Sequence, residues 1–293
     1  MHFVKTKSIL SNKNGINLYR GCLHGCIYCD SRSDCYQMNH EFEDIEIKEN
    51  ALELLEEKLD KKAPCMIGTG AMSDPYIPIE KDLKFTKGML ELIDRYGFGV
   101  SIQTKSNLIM RDMDLLEKIN NQAKAVVQIT LTTFDDELCK IIEPNVVPTS
   151  ERIKILMECK KRGIPTVVWL CPILPFINDT VDNIENILKV CKETSVYGII
   201  CFNMGLTLRD GNREYFYEML DKHFPGIKNK YIRFFKDNYE VNSLNNRGLM
   251  DIFHSICRVY GIQTDIDAIF EYLHTLPKKK NQMSIFDFLD DEN

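Results

Sequence analysis

The chain has 293 residues, of which 44% are hydrophobic and 27% charged, and its formal net charge is −6. These values are typical of a globular protein with one sizeable core and a modest extension. No apolar run is long enough to span a membrane, and residues 1–14 lack the apolar core of a signal peptide. Because the net charge is negative, a polyanion could be bound only by a local basic patch.

The eleven cysteines are an odd number and are scattered through apparent core segments, which argues against a disulfide framework. Five of them have apolar neighbours and are expected to be buried thiols: Cys159, Cys171, Cys191, Cys201 and Cys257. Free thiols are typical of a reducing compartment, so we expect a cytoplasmic protein.

A loop with three cysteines follows the first short apolar stretch, residues 16–19. Cys22, Cys26 and Cys29 are spaced C-x3-C-x2-C, and thiolates are the ligands that iron–sulfur clusters prefer. A cubane cluster has four irons, so three cysteines leave one iron open to a small molecule. A structural cluster or a zinc site is normally closed by a fourth residue. The spacing therefore predicts a [4Fe–4S] cluster with an open iron.

This spacing, with Tyr28 directly before the last cysteine, resembles the radical SAM superfamily. The resemblance implies that the open iron binds S-adenosylmethionine (SAM) and that an electron donor such as flavodoxin or ferredoxin reduces the cluster. The alternative is a zinc site completed by His24 and Cys35. Zinc ribbons usually contain two C-x2-C pairs, however, and the chain has no second pair.

After the loop, short apolar runs alternate with longer amphipathic stretches. The amphipathic stretches predict helices over residues 51–60, 82–96, 110–120, 149–162 and 180–192. The apolar runs predict strands over residues 65–68, 99–104, 125–133, 165–171 and 198–204, in addition to 16–19. Six strands that alternate with helices indicate parallel βαβ units with right-handed crossovers and helices on the outer face.

We therefore predict an α/β fold, a partial (β/α)6 TIM-type barrel, the architecture typical of radical SAM enzymes. The cysteine loop follows the first strand, where barrel folds place their chemistry. Open flavodoxin-like winding is the structural alternative.

The alternation stops at about Leu206, and helices are predicted over residues 213–224 and 246–260, with an aromatic and basic run at 230–236 between them. We predict three parts, which are the barrel (1–210), a helical C-terminal extension (211–276) and a flexible tail (277–293).

Polar residues near the carboxyl ends of the predicted strands are candidates to bind SAM. Tyr28 is placed to meet the adenine, Ser73 or a nearby carbonyl the methionyl ammonium, and Lys105 the methionyl carboxylate. Thr130 and Thr132 are candidates for hydrogen bonds to the ribose. Each also has an ordinary structural interpretation, because solvated lysines and threonines in strands are common.

An ordered set of motifs resembles, more narrowly, the spore photoproduct lyase-like branch, often called DNA repair photolyase-related proteins. The motifs are Asn17-Leu-Tyr-Arg-Gly-Cys22, Gly25-Cys-Ile-Tyr-Cys-Asp30, Ser73-Asp-Pro-Tyr-Ile-Pro-Ile-Glu80, Thr104-Lys-Ser106, Arg111-Asp112, Glu143-Pro144 and Pro172-Ile-Leu-Pro-Phe-Ile-Asn-Asp179. The resemblance implies that Tyr28, Ser73 and Lys105 contact SAM, with Glu143 and Arg152 as supporting residues. It also implies damaged or modified DNA as the substrate.

Two departures separate this chain from the lyases themselves. The lyases return a hydrogen atom through a cysteine two residues before the serine that matches Ser73, and this position is Ala71 here. They also use a tyrosine directly after the last cluster cysteine, where this chain has Asp30. Cys65 is the nearest other thiol, but it is placed at the start of its strand. RNA, a peptide or a small metabolite therefore remain alternative substrates.

The predicted tail contains Gln282-Met-Ser-Ile-Phe286 after three lysines. It is similar to the pentapeptide by which bacterial polymerases and repair proteins bind the β sliding clamp, a short-peptide mode in which an apolar groove accepts the glutamine and the apolar pair. The alternative is a segment that folds back on the extension. A further alternative for the whole chain is a non-catalytic module, with a structural cluster or zinc ion and a partner-recruiting tail.

Overall fold

The computed structural model describes residues 1–70 and 72–277. Ala71 and the predicted clamp-binding peptide, Gln282 to Phe286, lie outside the described residues. The strands in this part of the chain are β1 (His2–Val4), β2 (Gly15–Ile16), β3 (Tyr19–Arg20), β4 (Glu46–Lys48), β5 (Met66–Thr69), β6 (Gly99–Thr104), β7 (Ala125–Thr130), β8 (Thr166–Trp169), β9 (Gly198–Ile200), β10 (Gly205–Thr207) and β11 (Glu240–Asn242).

The α-helices surround one main sheet. Within the described residues they are α1 (Ala51–Asp60), α2 (Glu80–Leu83), α3 (Phe85–Arg95), α4 (Met113–Gln122), α5 (Asp136–Ile142), α6 (Thr149–Lys161), α7 (Val181–Glu193), α8 (Asn212–His223), α9 (Ile227–Phe235), α10 (Asn246–Tyr260) and α11 (Ile266–His274). Short 3-10 helices follow the cysteine loop and precede α4. None of these described helices has the length and apolarity required to cross a membrane.

The main sheet has six strands in the order β2-β5-β6-β7-β8-β9, and every neighbouring pair is parallel. The strand order follows the chain order, because each helical crossover returns the chain to the next position along the sheet. The predicted α/β fold with a partial (β/α)6 barrel is confirmed. A second sheet, β1-β4-β3, packs beside the start of the barrel.

Consecutive residues of a strand point to opposite faces, so that each strand contributes to two apolar clusters. Val127 faces outward into the core formed with α1, α3, α4, α6, α7 and α10. Val126 faces inward and packs with Ile269 and Leu273 of α11. Helix α11 therefore covers the inner face of the sheet. The Lys124 ammonium secures it there by donating to the backbone carbonyls of Tyr272 and Thr275.

The C-terminal residues pack on the cysteine loop. Ile27 and Tyr28 share an apolar cluster with Phe216 of α8, Tyr231 of α9 and Val241 of β11. Strands β10 and β11 form an antiparallel pair that the sequence did not predict. Three-residue strands are too short to show a period in the sequence. The predicted division of the chain near residue 210 stays a prediction.

Most predicted elements agree with the structure in position, and one difference has a clear cause. The predicted helix 82–96 is divided into α2 and α3 at Lys84, which has a φ of +58°. The carboxylate of Glu80 accepts a hydrogen bond from the amide of Thr86, the second residue of α3. This buried carboxylate holds a turn where the apolar spacing alone would continue the helix.

Candidate cofactor site

The cysteine loop is held by backbone contacts to distant segments. The amide of Cys22 donates to the carbonyl of Phe42 over 3.2 Å, and that of Ile27 donates to the carbonyl of Ile142 over 3.0 Å. Gly21 precedes the loop with a φ of +88°, and a Cβ atom there would collide with the carbonyl oxygen of Phe42. Only glycine permits this entry to the loop.

A cavity of about 590 Å³ opens where the parallel strands end, beside the loop. The structure brings seven of the predicted site residues to its wall, which are Cys22, Cys26, Cys29, Tyr28, Ser73, Lys105 and Thr130. Thr132, the other ribose candidate, does not line the cavity. It is fully buried, and its hydroxyl has no hydrogen-bond partner within the described part of the chain.

Within the described residues, no three potential ligand atoms of the cysteine loop are close enough together for a zinc ion. Tetrahedral zinc would bring its thiolates to about 3.8 Å from one another. Among the described residues, no three potential ligand atoms of the loop lie within 4.8 Å of one another. A cubane needs a wider separation, because each cysteine binds a different iron. Cys35 is also directed elsewhere, since its sulfur lies 3.1 Å from Nη1 of Arg209. The described residues thus do not form the alternative zinc site.

Cys22 and Cys26 are protonated thiols in the absence of metal. Burial, followed by the charge of Asp74, raises the pKa of Cys22 to about 12. Burial raises the pKa of Cys26 well above its ordinary value. Because metals bind the thiolate, loading the site must release these protons.

Lys105 supplies a half-buried positive charge at the cavity wall. Its ammonium lies 5.8 Å from the ring centre of Tyr28. Burial lowers the pKa of Lys105, but nearby negative charge, including that of Glu143, outweighs burial and raises the pKa above its ordinary value. The side chain is therefore a permanent cation, suited to a carboxylate ligand.

Asp74 organises the strand ends around this cation. Its carboxylate accepts hydrogen bonds from the Thr104 hydroxyl (2.7 Å) and from the backbone amides of Lys105 (2.8 Å) and Tyr76 (2.8 Å). Nδ1 of His24 lies 3.4 Å from the same group. Burial lowers the pKa of His24, so that its imidazole is neutral at neutral pH. One carboxylate thus joins the cysteine loop to the ends of β5 and β6.

Ser73 is anchored to the loop rather than free in the cavity. Its hydroxyl donates to the carbonyl of Gly21 over 2.6 Å. Because the proton is used in this bond, the oxygen faces a ligand as an acceptor only. That polarity fits the ammonium group predicted for this position.

A buried ion pair supports the opposite side of the loop. Glu143 and Arg152 are both fully buried, and their charged groups lie 2.5 Å apart. Glu143 also accepts a hydrogen bond from the hydroxyl of Tyr28. Arg152 donates to the carbonyl of Thr130 over 3.1 Å. The pair therefore fixes the Tyr28 ring and the end of β7 together.

A second hydrogen-bond network connects the Arg111-Asp112 motif with the motif that ends at Glu80. Arg111 donates to Glu80 and Asp112, each over 2.7 Å, and the hydroxyl of Tyr76 donates to Asp112 over 3.1 Å. Tyr19, two residues before Gly21, donates to Glu80 over 2.5 Å. Tyr76 does not line the cavity, whereas Asp74 and Cys171 do. These motifs support the strand ends from behind.

Residues that follow the last parallel strand, β9, complete the cavity wall, and they were not predicted from the sequence. They include Phe202, Asn203, Thr207, Tyr239 and Asn242. Phe202 follows the last parallel strand, and that position was the only signal that could have identified it. Asp30, which directly follows the last cysteine, also lines the cavity. Its carboxylate accepts a hydrogen bond from the hydroxyl of Tyr36 over 2.7 Å.

A partial barrel with three cysteines and a half-buried cation at the carboxyl ends of its strands defines a class of iron–sulfur enzymes that bind a charged small molecule beside the cluster. The family model of the radical SAM superfamily matches residues 16–191, and the chain belongs to this superfamily. Its cofactors are accordingly a [4Fe–4S] cluster and SAM.

The curated relatives include proteins of an archaeon, a bacterium and a virus. An uncharacterized protein of Methanocaldococcus jannaschii is 36% identical over 166 residues, which are 56% of this chain and 61% of that protein. An uncharacterized protein of Mycobacterium tuberculosis is 25% identical over 228 residues, which are 74% of this chain and 65% of that protein. The matches therefore span less than two thirds of these relatives' own length.

Two kinds of solved structure are similar in fold. Spore photoproduct lyase complexed with dinucleoside spore photoproduct has a TM-score of 0.61 and 11% identity, over 88% of this chain and 78% of that chain. The radical S-adenosylmethionine methyltransferase TsrM from Kitasatospora setae has a TM-score of 0.57 and 13% identity, over 83% and 52% respectively. At these identities the similarity establishes the fold and not the substrate.

Proposed function

We propose that this radical SAM enzyme abstracts a hydrogen atom from a damaged or modified nucleotide in DNA. The observation that supports the chemistry is the convergence of the three cysteines with Lys105 on one cavity. The proposed substrate class rests on the similarity in fold to spore photoproduct lyase, which was solved with a dinucleoside lesion.

When bound, the cluster and SAM supply a reductively generated 5′-deoxyadenosyl radical, and the chain supplies orientation and exclusion of water. We assign the methionyl carboxylate of SAM to Lys105 and the ammonium to the acceptor oxygen of Ser73. We assign the adenine to the loop around Tyr28 and the ribose to Thr130. Asp74 keeps Lys105 in place through the backbone amide of that residue.

The route by which the enzyme returns a hydrogen atom must differ from that of the lyases. Asp30 stands where the lyases carry a tyrosine, and it is held by Tyr36. Ala71 stands at the position of the lyase relay cysteine and lies outside the described residues. We therefore propose a relative of the lyases that acts on a different lesion or modification.

Anaerobic reconstitution tests the chemistry. We expect about four irons per chain and 5′-deoxyadenosine that forms only when SAM and a reductant are both present. Cys26→Ala should abolish both. Cys35→Ala is the matched control, because this cysteine is exposed and does not line the cavity. SAM cleavage that persists in Cys26→Ala would refute the assignment of the ligands.

Deuterium transfer tests the substrate. The reconstituted enzyme is incubated with deuterated DNA that carries lesions, and with RNA, peptides and small metabolites prepared in the same way. Appearance of deuterium in 5′-deoxyadenosine with lesion DNA alone would support the proposal. Transfer from a peptide or metabolite, and not from DNA, would refute the DNA substrate while leaving the radical chemistry intact.

Partners and location form a separate proposal. We propose a flavodoxin- or ferredoxin-type electron donor, a reducing cytoplasm in keeping with eleven free cysteines, and docking of the tail on the β sliding clamp. The tail is tested by combining Gln282→Ala with Phe286→Ala, which should abolish clamp binding in a pull-down. Gln263→Ala is the control, and unchanged clamp binding by the double variant would refute the docking.

A further inference from the structure

We propose that His2, His40 and Glu46 form a second metal site, which binds one divalent transition ion of the zinc type. The site lies on the β1-β4-β3 sheet, away from the cysteine cavity. His2 begins β1 and Glu46 begins β4, at paired positions of the two strands. His40 belongs to the segment that joins the cysteine loop to β4.

The three side chains already have nearly the spacing of a coordination shell. One potential ligand atom from each lies within 4.8 Å of the other two. Nε2 of His40 is 3.8 Å from Oε2 of Glu46, and the two imidazole rings are 5.0 Å apart, edge to face. A tetrahedral zinc site separates such atoms by about 3.4 Å. Small rotations of the side chains would complete the shell.

Hydrogen bonds prepare both histidines to bind a metal through Nε2. Nδ1 of His40 is 3.0 Å from the backbone carbonyl of Glu41, and Nδ1 of His2 is 3.0 Å from the carboxylate of Asp44. These oxygens can only accept, so the hydrogen bonds assign the proton of each neutral imidazole to Nδ1 and leave Nε2 as the ligand atom. This arrangement of an outer oxygen, an imidazole and an ion is usual around protein-bound zinc.

Nε2 of His40 makes no hydrogen bond within the described residues. The atom is also buried. Leaving such a nitrogen unpaired is costly, and a metal ion would satisfy it. His40 also lines a separate cavity of about 430 Å³. Two imidazoles and a carboxylate are ligands that zinc accepts, with one position left for water.

An ion here would join three segments that support the cysteine loop. It would tie β1 to β4 and would fix the segment that contains Phe42. The carbonyl of Phe42 accepts a hydrogen bond from the amide of Cys22. The proposed role is therefore to hold these three segments together behind the cysteine loop, and it is independent of the radical chemistry.

Zinc competition against a chromophoric chelator tests the site. The protein should carry no N-terminal tag, since an added polyhistidine segment would bind zinc beside His2. With the cluster loaded, we expect one tightly bound zinc per chain. His40→Gln and Glu46→Gln should each abolish stoichiometric binding, and Asp44→Asn should weaken it about 10- to 100-fold. His254→Gln, on the exposed face of α10, should bind as the wild type does.

Cobalt substitution distinguishes this site from the cysteines. Bound Co²⁺ should show visible absorption without thiolate-to-cobalt charge transfer, and this absorption should disappear in Glu46→Gln. Circular dichroism checks that each variant folds, and two independent ligand variants guard against the failure of one. The proposal is overturned if the wild type binds zinc no more tightly than His40→Gln. It is equally overturned if the bound cobalt shows thiolate ligation.

Discussion

Tyr28 donates its phenolic hydrogen to the carboxylate of Glu143, although 115 residues separate them along the chain. Burial, followed by the charge of Glu143, raises the pKa of Tyr28 well above its ordinary value, so that the phenol remains a donor. Glu143 is itself paired with Arg152. Tyr28, between the second and third cysteines, is thus held by an ion pair that does not itself line the cavity.

Removal of one partner from this ion pair should destabilise the protein strongly. In Glu143→Gln the Arg152 guanidinium stays buried without a counter-charge, for which we expect a loss of about 3–5 kcal/mol in the free energy of unfolding. Urea denaturation of the metal-free protein measures it. Glu137→Gln, which alters an exposed glutamate 80% accessible to solvent, should change little. A similar small effect in both variants would contradict the structural role of the pair.

The same pair predicts a loss of stability in acid. Burial raises the pKa of Glu143, but Arg152 and Lys105 lower it by more, so that it lies below its ordinary value. A depressed carboxylate pKa contributes stability that is fully present above the unfolded-state value of about 4.3 and is lost as the pH falls through the folded-state value. Wild-type stability should therefore fall below about pH 4 more steeply than that of Glu143→Gln. Parallel pH profiles would contradict this.

Lys105→Met should weaken SAM binding without loss of the cluster. A hydrogen bond to a charged group contributes about 1.5–3 kcal/mol, so the dissociation constant for SAM should rise about 10- to 150-fold. Iron content should stay near the wild-type value, because Lys105 is not a ligand. Equilibrium binding and iron analysis measure the two quantities. Lys189→Met, on the exposed face of α7, serves as the control, and unaltered SAM affinity in Lys105→Met would exclude the assigned contact.

Gly21→Ala should prevent assembly of the cluster. Position 21 combines a φ of +88° with close approach to the carbonyl of Phe42, so that a methyl group must displace the start of the loop. Gly163→Ala is a matched control, since Gly163 has a φ of +67° and no atom within 4 Å of the added carbon. Both variants carry backbone strain, but only Gly21→Ala should lose iron on reconstitution. Equal iron contents would contradict the prediction.

Shortening the inward side chains of α11 should destabilise the barrel from its inner face. Leu273 is 2% exposed and packs against the sheet. Leu273→Ala should lower the free energy of unfolding by about 2–5 kcal/mol. Val259→Ala, at a position 80% exposed, is the control. Thermal or chemical denaturation compares the two, and losses of equal size would show that α11 does not close the core.

The sequence predicted the barrel well because its strands and helices carry long, regular patterns. The bounds predicted for α1, β6 and α10 agree with the structure. Glu80 could not be anticipated as a helix divider, because its effect depends on a carboxylate buried by distant residues. The strand pair β10-β11 was missed because each strand has only three residues.

The residues of the candidate site likewise include some that the sequence predicted and some that it did not. The motifs pointed to Lys105 and Ser73, which reach the cavity. Thr132 follows the same alternation as Thr130 but lies behind the wall, because the strand ends before it. Tyr239 reaches the cavity wall because the residues after β9 fold back onto the barrel. This long-range packing leaves no local pattern in the sequence.

The packing of α11 on the inner face has a consequence for synthesis of the protein. Met66 of β5 shares an apolar cluster with Leu273, about two hundred positions later in the chain. When all six parallel strands have been synthesised but α11 has not, the nascent chain still exposes this inner surface to water. Docking of α11 is thus expected to follow formation of the sheet, and until that step a chaperone could bind the apolar inner surface of the incomplete barrel.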